Sequence, residues 1–278
     1  MRQIEERTLA DFAAALAEEE RSAATIEKYG RDVRRFAAYI GGGAVSRQAV
    51  LAYKHKLGQE YAVAGANSML AALNHFFRFC GWQDLCIRQF KVQKKAFCPA
   101  EKELSRGEYR RLVKAAERQR GGQLSLLLQT ICATGIRVSE LVHITVAAAE
   151  KGQALVSCKG KSRVIFIIPA LQKKLLRYAK AHAITAGAIF ITASGRPMNR
   201  SNIWREMKAL CAAAEVAPGK VFPHNLRHLF ARTFYGLEKD IAKLADILGH
   251  ASINTTRLYI ITTGDEHRRK MEVMHLLL

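Results

Sequence analysis

The sequence predicts a mainly α-helical protein with one small β-sheet, split into a helical N-terminal domain and a mixed α/β domain after it. Three observations lead there. Apolar residues recur at three- and four-residue steps along most of the 278-residue chain. One pair of short β-rich runs, 154–158 and 164–168, breaks that period around a turn. Between residues 91 and 104 the periodicity lapses. The length exceeds what one modest domain needs and suits two, and 49% hydrophobic with 24% charged residues is the composition of a folded chain.

Ile26, Tyr29, Val33, Phe36, Ala37 and Ile40 mark the buried face of a first helix, with Ser22 as its N-cap and Gly41 to Gly43 as its stop. Lys28, Arg31, Arg34 and Arg35 occupy the other face, a cationic surface suited to a polyanion. Val50 to Leu57 form a further helical stretch. Leu70, Leu73, Phe76 and Phe77 mark another, closed near Gly81. Residues 1–90 thus read as an all-helical bundle. Residues 91–104 read as a basic linker, in which Lys91, Lys94 and Lys95 crowd together and Pro99 disfavours helix at the residue before it. Residues 105–278 form the second domain. There Ser105 and Glu108 have the spacing of a capping box, and "LSLLLQTICATG" is apolar nearly all round, as a central core helix is. The runs 154–158 and 164–168 pair as a hairpin around "KGKSR", and helical patterns resume from Leu171.

Charge narrows the function. Lys and Arg number 44 against 24 Asp and Glu, a formal +20, and the excess is larger beyond residue 95. Such a field favours a polyanion, nucleic acid or acidic membrane. No run of about 18 apolar residues suggests a membrane span, and the N-terminus lacks the apolar stretch of a secretory signal. The six cysteines are scattered, with no metal-ligand spacing. The expectation is reduced thiols, no metal, and a cytosolic or nucleoid compartment.

Four stretches carry chemistry. In "ATGIRVSEL", Arg137 follows a glycine turn after the apolar helix, where its guanidinium could meet a phosphate or merely pair with Glu140. Lys159 and Lys161 sit at the hairpin turn, as phosphate contacts or simply for solubility. In "PHNLRHLFA", His224 and Arg227 share a helix face behind a proline start, which places a proton-transfer group beside a fixed cation or makes an ordinary polar helix end. His228 is expected to face elsewhere. In "LGHASINTTRLYI", His250 follows a glycine and Tyr259 comes nine residues later; alone, that tyrosine reads as packing.

Taken in order, Arg137, Lys159, His224 with Arg227, His250 and Tyr259 resemble the motif series of the tyrosine recombinase or phage integrase family. The boxes "TGIRVSEL", "HNLRH" and "LGHASINTTRLY" look like that family's, and "SAATIEKYGRDVRRF" with "NSMLAALNHFFRF" resembles its core-binding, SAM-like domain. The resemblance implies a catalytic domain of the tyrosine recombinase type. It also implies that Tyr259 attacks a DNA phosphate, leaving a 3′-phosphotyrosyl bond and a 5′-hydroxyl. A partner strand's 5′-hydroxyl then attacks that bond, and two rounds pass through a Holliday junction without ATP, metal or other cofactor. By the same resemblance Arg137 and Arg227 bind the non-bridging oxygens, Lys159 protonates the leaving oxygen, His224 accepts the tyrosine proton and His250 holds the phosphate.

Two departures stand out: the hairpin turn looks a residue short, which makes Lys161 the alternative to Lys159, and Leu229 replaces a small hydroxylated residue. The apolar stripe Met271, Met274 and Leu278 is expected to dock on a neighbouring protomer, giving a homo-tetramer on two DNA sites. The chain resembles compact Xer-type enzymes or small mobile-element integrases, the latter with an accessory directionality protein, and a mobile-element role is preferred. A type IB topoisomerase-like enzyme and a non-catalytic DNA-binding relative are the alternatives.

Overall fold

The computed structural model describes residues 2–91, 100–119, 121–158, 161–260 and 271–274, without the side chains of Ala100, Cys158 and Lys161. The chain divides into two compact units, residues 1–94 and 95–278.

The first unit packs α1 (Glu6–Glu18), α2 (Ala23–Tyr39), α3 (Arg47–Glu60) and α4 (Val63–Phe79) around Phe12, Phe36, Leu70, Phe76 and Phe77. The sequence reading has no helix where α1 lies, although Leu9, Phe12 and Leu16 recur at steps of three and four and bury its inner face. Helix α2 begins after Ser22, but that hydroxyl meets Thr25 Oγ1 and caps no backbone N–H. Its polar face is partly engaged. Lys28 Nζ lies 2.5 Å from the buried Asp32 carboxylate, and Arg35 donates to the Tyr61 hydroxyl, while Arg31 and Arg34 are exposed. Gly41 and Gly81, both at positive φ, follow the ends of α2 and α4, as their positions predict.

Lys91 is exposed, whereas Lys94 and Lys95 lie outside the described residues. The predicted linker runs too far. Leu104 is fully buried in the second unit's core, and Lys102 O accepts a hydrogen bond from the Asn225 side chain, so residues 102–104 pack with the second unit.

The second unit comprises α5 (Arg106–Glu117), α6 (Gln123–Thr134), α7 (Val146–Lys151), β1 (Gln153–Cys158), β2 (Lys161–Phe166), α8 (Pro169–Ala181), α9 (Arg200–Ala213), α10 (Pro223–Glu238), α11 (Ile241–Leu248) and α12 (Ile253–Ile260). Ser105 and Glu108 close the capping box at the start of α5. Helix α6 is buried on nearly all sides, and α5, α8, α9 and α10 pack on it. The hairpin is antiparallel with Cys158 opposite Lys161. The predicted turn, 159–163, is therefore too long: Lys161, Ser162 and Arg163 belong to β2. Polar residues pair as well as apolar ones at the open end of a two-stranded sheet, so composition hides them. Lys159 and Gly160 lie outside the described residues.

Candidate active site

Helix α6 ends at Gly135, whose left-handed φ (+64°) and whose Phe230 and Leu248 neighbours, which fill the space a Cβ would need, both call for glycine. The chain turns there and presents Arg137 at the head of a 3₁₀ segment, 138–143. Glu140, only 3% exposed, accepts from the Arg137 backbone N–H (3.0 Å), from Arg137 Nη1 (2.8 Å) and from Arg163 Nη2 on β2 (2.5 Å). Burial raises the Glu140 pKa, but these donors outweigh it and hold the carboxyl below its usual range. Arg137 thus keeps its helical partner and also reaches the site: its Nη2 donates to Gly249 O at 3.1 Å.

Arg227 enters from α10, which starts at Pro223, and is 1% exposed. It donates to Gly135 O and to Leu248 O, and at 3.1 Å to His250 Nε2. A guanidinium only donates, so His250 Nε2 accepts and its proton sits on Nδ1, 2.9 Å from the hydroxyl of the buried Thr256. Among the described residues Arg227 forms no carboxylate salt bridge, and its buried Nε has no partner. Burial, then the Arg137 charge, pull its pKa down to about 10, which leaves it charged at neutral pH. Two guanidiniums therefore meet at adjacent carbonyls, Leu248 and Gly249, of the turn after α11.

Tyr259, on α12 and 7% exposed, closes the group. Its ring lies 5.7 Å from Arg227 Cζ, 4.7 Å from the His250 ring and 5.1 Å from that of His224. It also joins a small apolar core with Leu244 and Leu248, so the packing reading of this tyrosine holds too. His228 corrects an expectation: instead of facing elsewhere, it stacks on Tyr259 at 4.2 Å with planes 6° apart. Its position one turn after His224 carried that signal, since residues four apart share a helix face. Burial, then the His224 charge, lower His228 to about 3. Burial, then Arg227, lower His250 to about 4. The exposed His224 is lowered as well, by burial and then by Arg227. Arg163 and Thr256 also belong to the site and are missed in sequence; Glu140 is foreseen as the partner of Arg137, but nothing in sequence marks its second partner, Arg163.

Five of the six predicted catalytic residues, Arg137, His224, Arg227, His250 and Tyr259, thus lie around one centre; the sixth, Lys159, lies outside the described residues. Leu229 is buried in the core. Among the described residues no group of His, Cys, Asp and Glu could hold a metal ion, and no helix is long and apolar enough to cross a membrane.

The model of the phage integrase family matches residues 102–264, and that of the phage integrase N-terminal SAM-like domain matches residues 9–84. Tyrosine recombinase XerD of Halalkalibacterium halodurans is 26% identical over 266 residues, covering 88% of this chain and 89% of that protein. Tyrosine recombinase XerC of Erythrobacter litoralis is 28% identical over 90% of this chain and 85% of that protein. Among solved structures, a lambda integrase (75-356) dimer bound to a COC' core site superposes with a TM-score of 0.76 at 18% identity, covering 94% of this chain and 96% of that one.

Proposed function

The chain belongs to the phage integrase family, and on that premise we propose that it is a site-specific DNA recombinase that cuts and rejoins strands through a 3′-phosphotyrosyl intermediate on Tyr259. The observation that carries this is the convergence of Arg137 and Arg227 on the Leu248–Gly249 turn beside the Tyr259 ring. Two neighbouring cations, one buried without a carboxylate, repel each other until an anion arrives. A phosphodiester has the charge and the oxygens to accept both forks.

In this reading the two arginines hold the non-bridging oxygens as the Tyr259 oxygen attacks phosphorus and the 5′-oxygen departs. His224, held neutral, is able to accept the tyrosine proton. His250 has its Nε2 occupied by Arg227, so it orients that guanidinium and turns to the phosphate only when the pair opens. Lys159 supplies the proton to the leaving 5′-oxygen. The exposed Arg31 and Arg34, with Lys91, contact the backbone, as do Lys94, Lys95 and Lys161; Lys28 contributes less, because Asp32 neutralises it.

Incubation with a pool of nicked duplexes, randomised around the nick, tests this. The protein should form adducts stable to denaturation and Tyr259→Phe should form none; adducts on the variant would overturn the assignment.

A homo-tetramer on two DNA sites follows from the same reading, and a lambda integrase tetramer bound to a Holliday junction is among the similar structures. The apolar stripe would dock on a neighbour: Met271 and Met274 are exposed, and Leu278 lies outside the described residues. Integration of a mobile element, with an accessory directionality protein, is the role preferred on sequence. The Xer names of the relatives, which match over most of both chains, favour chromosome-dimer resolution as the second reading. Attachment-like repeats flanking the gene would decide for integration.

A further inference from the structure

We infer that Arg163 is a positioning residue for strand cleavage, setting the distance between the Arg137–Glu140 pair and the turn that carries His250. This rests on the recombinase reading.

Arg163 occupies an inward position of β2. Ile165 and Ile167 beyond it are buried, while Val164, Phe166 and Ile168 face out. From there its guanidinium divides. Nη2 donates to Glu140 Oε2 at 2.5 Å and Nη1 donates to Ile247 O at 2.8 Å. One fork thus ties the carboxylate that holds Arg137 to the last turn of α11.

A second observation is independent of those bonds. Gly249 sits at φ +63°, and a Cβ there would run into the Arg163 side chain at Cδ and Nε. The stem of Arg163 therefore lies directly against the residue whose carbonyl accepts from Arg137 and whose successor is His250. Through hydrogen bonds on one side and van der Waals contact on the other, Arg163 spans the β-hairpin, the Arg137 segment and the His250 turn. β2 also begins directly after Lys159 and Gly160, so fixing its inward residue fixes the strand that carries the hairpin tip.

Only arginine can do this. Its planar fork reaches two acceptors in different directions with a rigid separation, whereas a lysine ammonium is a point charge on a flexible stem. Small displacements matter here, since reacting groups misplaced by about 1 Å can lose roughly a hundredfold in rate.

The test uses the full chain and the nicked-duplex pool, with single-turnover adduct formation at saturating DNA and DNA affinity measured separately. Arg163→Lys should slow adduct formation by about tenfold to a hundredfold with DNA affinity unchanged. In a Glu140→Gln background the same substitution should cost less, because the carboxylate charge that Arg163 holds is already gone. An Arg163→Gln variant, keeping the stem and one donor, serves if the lysine variant fails to fold. An unchanged rate, a loss explained wholly by weaker DNA binding, or an effect equal in both backgrounds would overturn the assignment. A parent protein that forms no adduct would instead overturn the recombinase reading, and this inference with it.

Discussion

Acid should loosen the second unit through two histidines, and His228→Phe isolates one of them. His228 and His250 titrate in the folded protein at about 3 and about 4, against 6.5 for an unconstrained imidazole. Their folded pKa values are depressed, so below pH 6.5 the unfolded chain binds protons that the folded chain refuses. Stability therefore falls as pH drops through the window from 6.5 towards 4. At pH 5 both folded forms are still neutral. The loss between pH 7 and pH 5 is then set by the distance from 6.5 to 5, which gives up to about 2 kcal/mol for each histidine and does not depend on how deeply each is depressed. Phenylalanine can keep the stack on Tyr259 and cannot titrate. Hydrogen exchange of α10 amides, followed by mass spectrometry in the full chain at pH 7 and pH 5 with intrinsic rates corrected, reads the opening free energy. The variant should lose about 2 kcal/mol less than the parent over that interval. Equal losses would refute the reasoning, because His228 would then be free to take its proton without unfolding.

Other perturbations test the remaining parts of the site. Glu140→Gln removes the charge that Arg137 and Arg163 share, and should destabilise the protein by about 3 kcal/mol in urea unfolding, the lower end of the range for a broken buried pair because Arg137 retains some water; a loss below about 1 kcal/mol would place the pair among ordinary surface ones. Gly249→Ala must adopt φ +63° and displace Arg163, so it should cost about 2 kcal/mol and lower adduct yield, whereas adduct formation at the parent rate would show that the turn yields freely. The formal charge of +20 makes DNA affinity steeply salt-dependent: raising salt from about 50 to 200 mM should weaken binding by about a thousandfold or more, and a flat response in a fluorescence-anisotropy titration would exclude phosphate contacts as its main source.

Periodicity carried much of the architecture. Helices α2, α4 and α6 follow their apolar spacing, and Ser105 with Glu108 caps α5 as the spacing dictates. Elsewhere local pattern was insufficient. Helix α1 buries only Leu9, Phe12 and Leu16 among a run of alanines, which blurs its apolar face. The strand β2 starts with Lys161, Ser162 and Arg163, which look like a turn because their pairing depends on the opposite strand. Leu104 looks like linker because its partners come from distant parts of the second unit.

The ordered cations, histidines and Tyr259 were legible because residue type and order along the chain survive without coordinates, and they alone pointed to phosphate chemistry and to the family. Which of them meet, and through what, belonged to the tertiary structure. His228 against Tyr259, Arg227 against Gly135, and Arg163 spanning Glu140 and Ile247 are contacts between residues up to 92 positions apart. No local pattern encodes such pairs, because their energy depends on burial and on fixed geometry that exist only once the helices have packed.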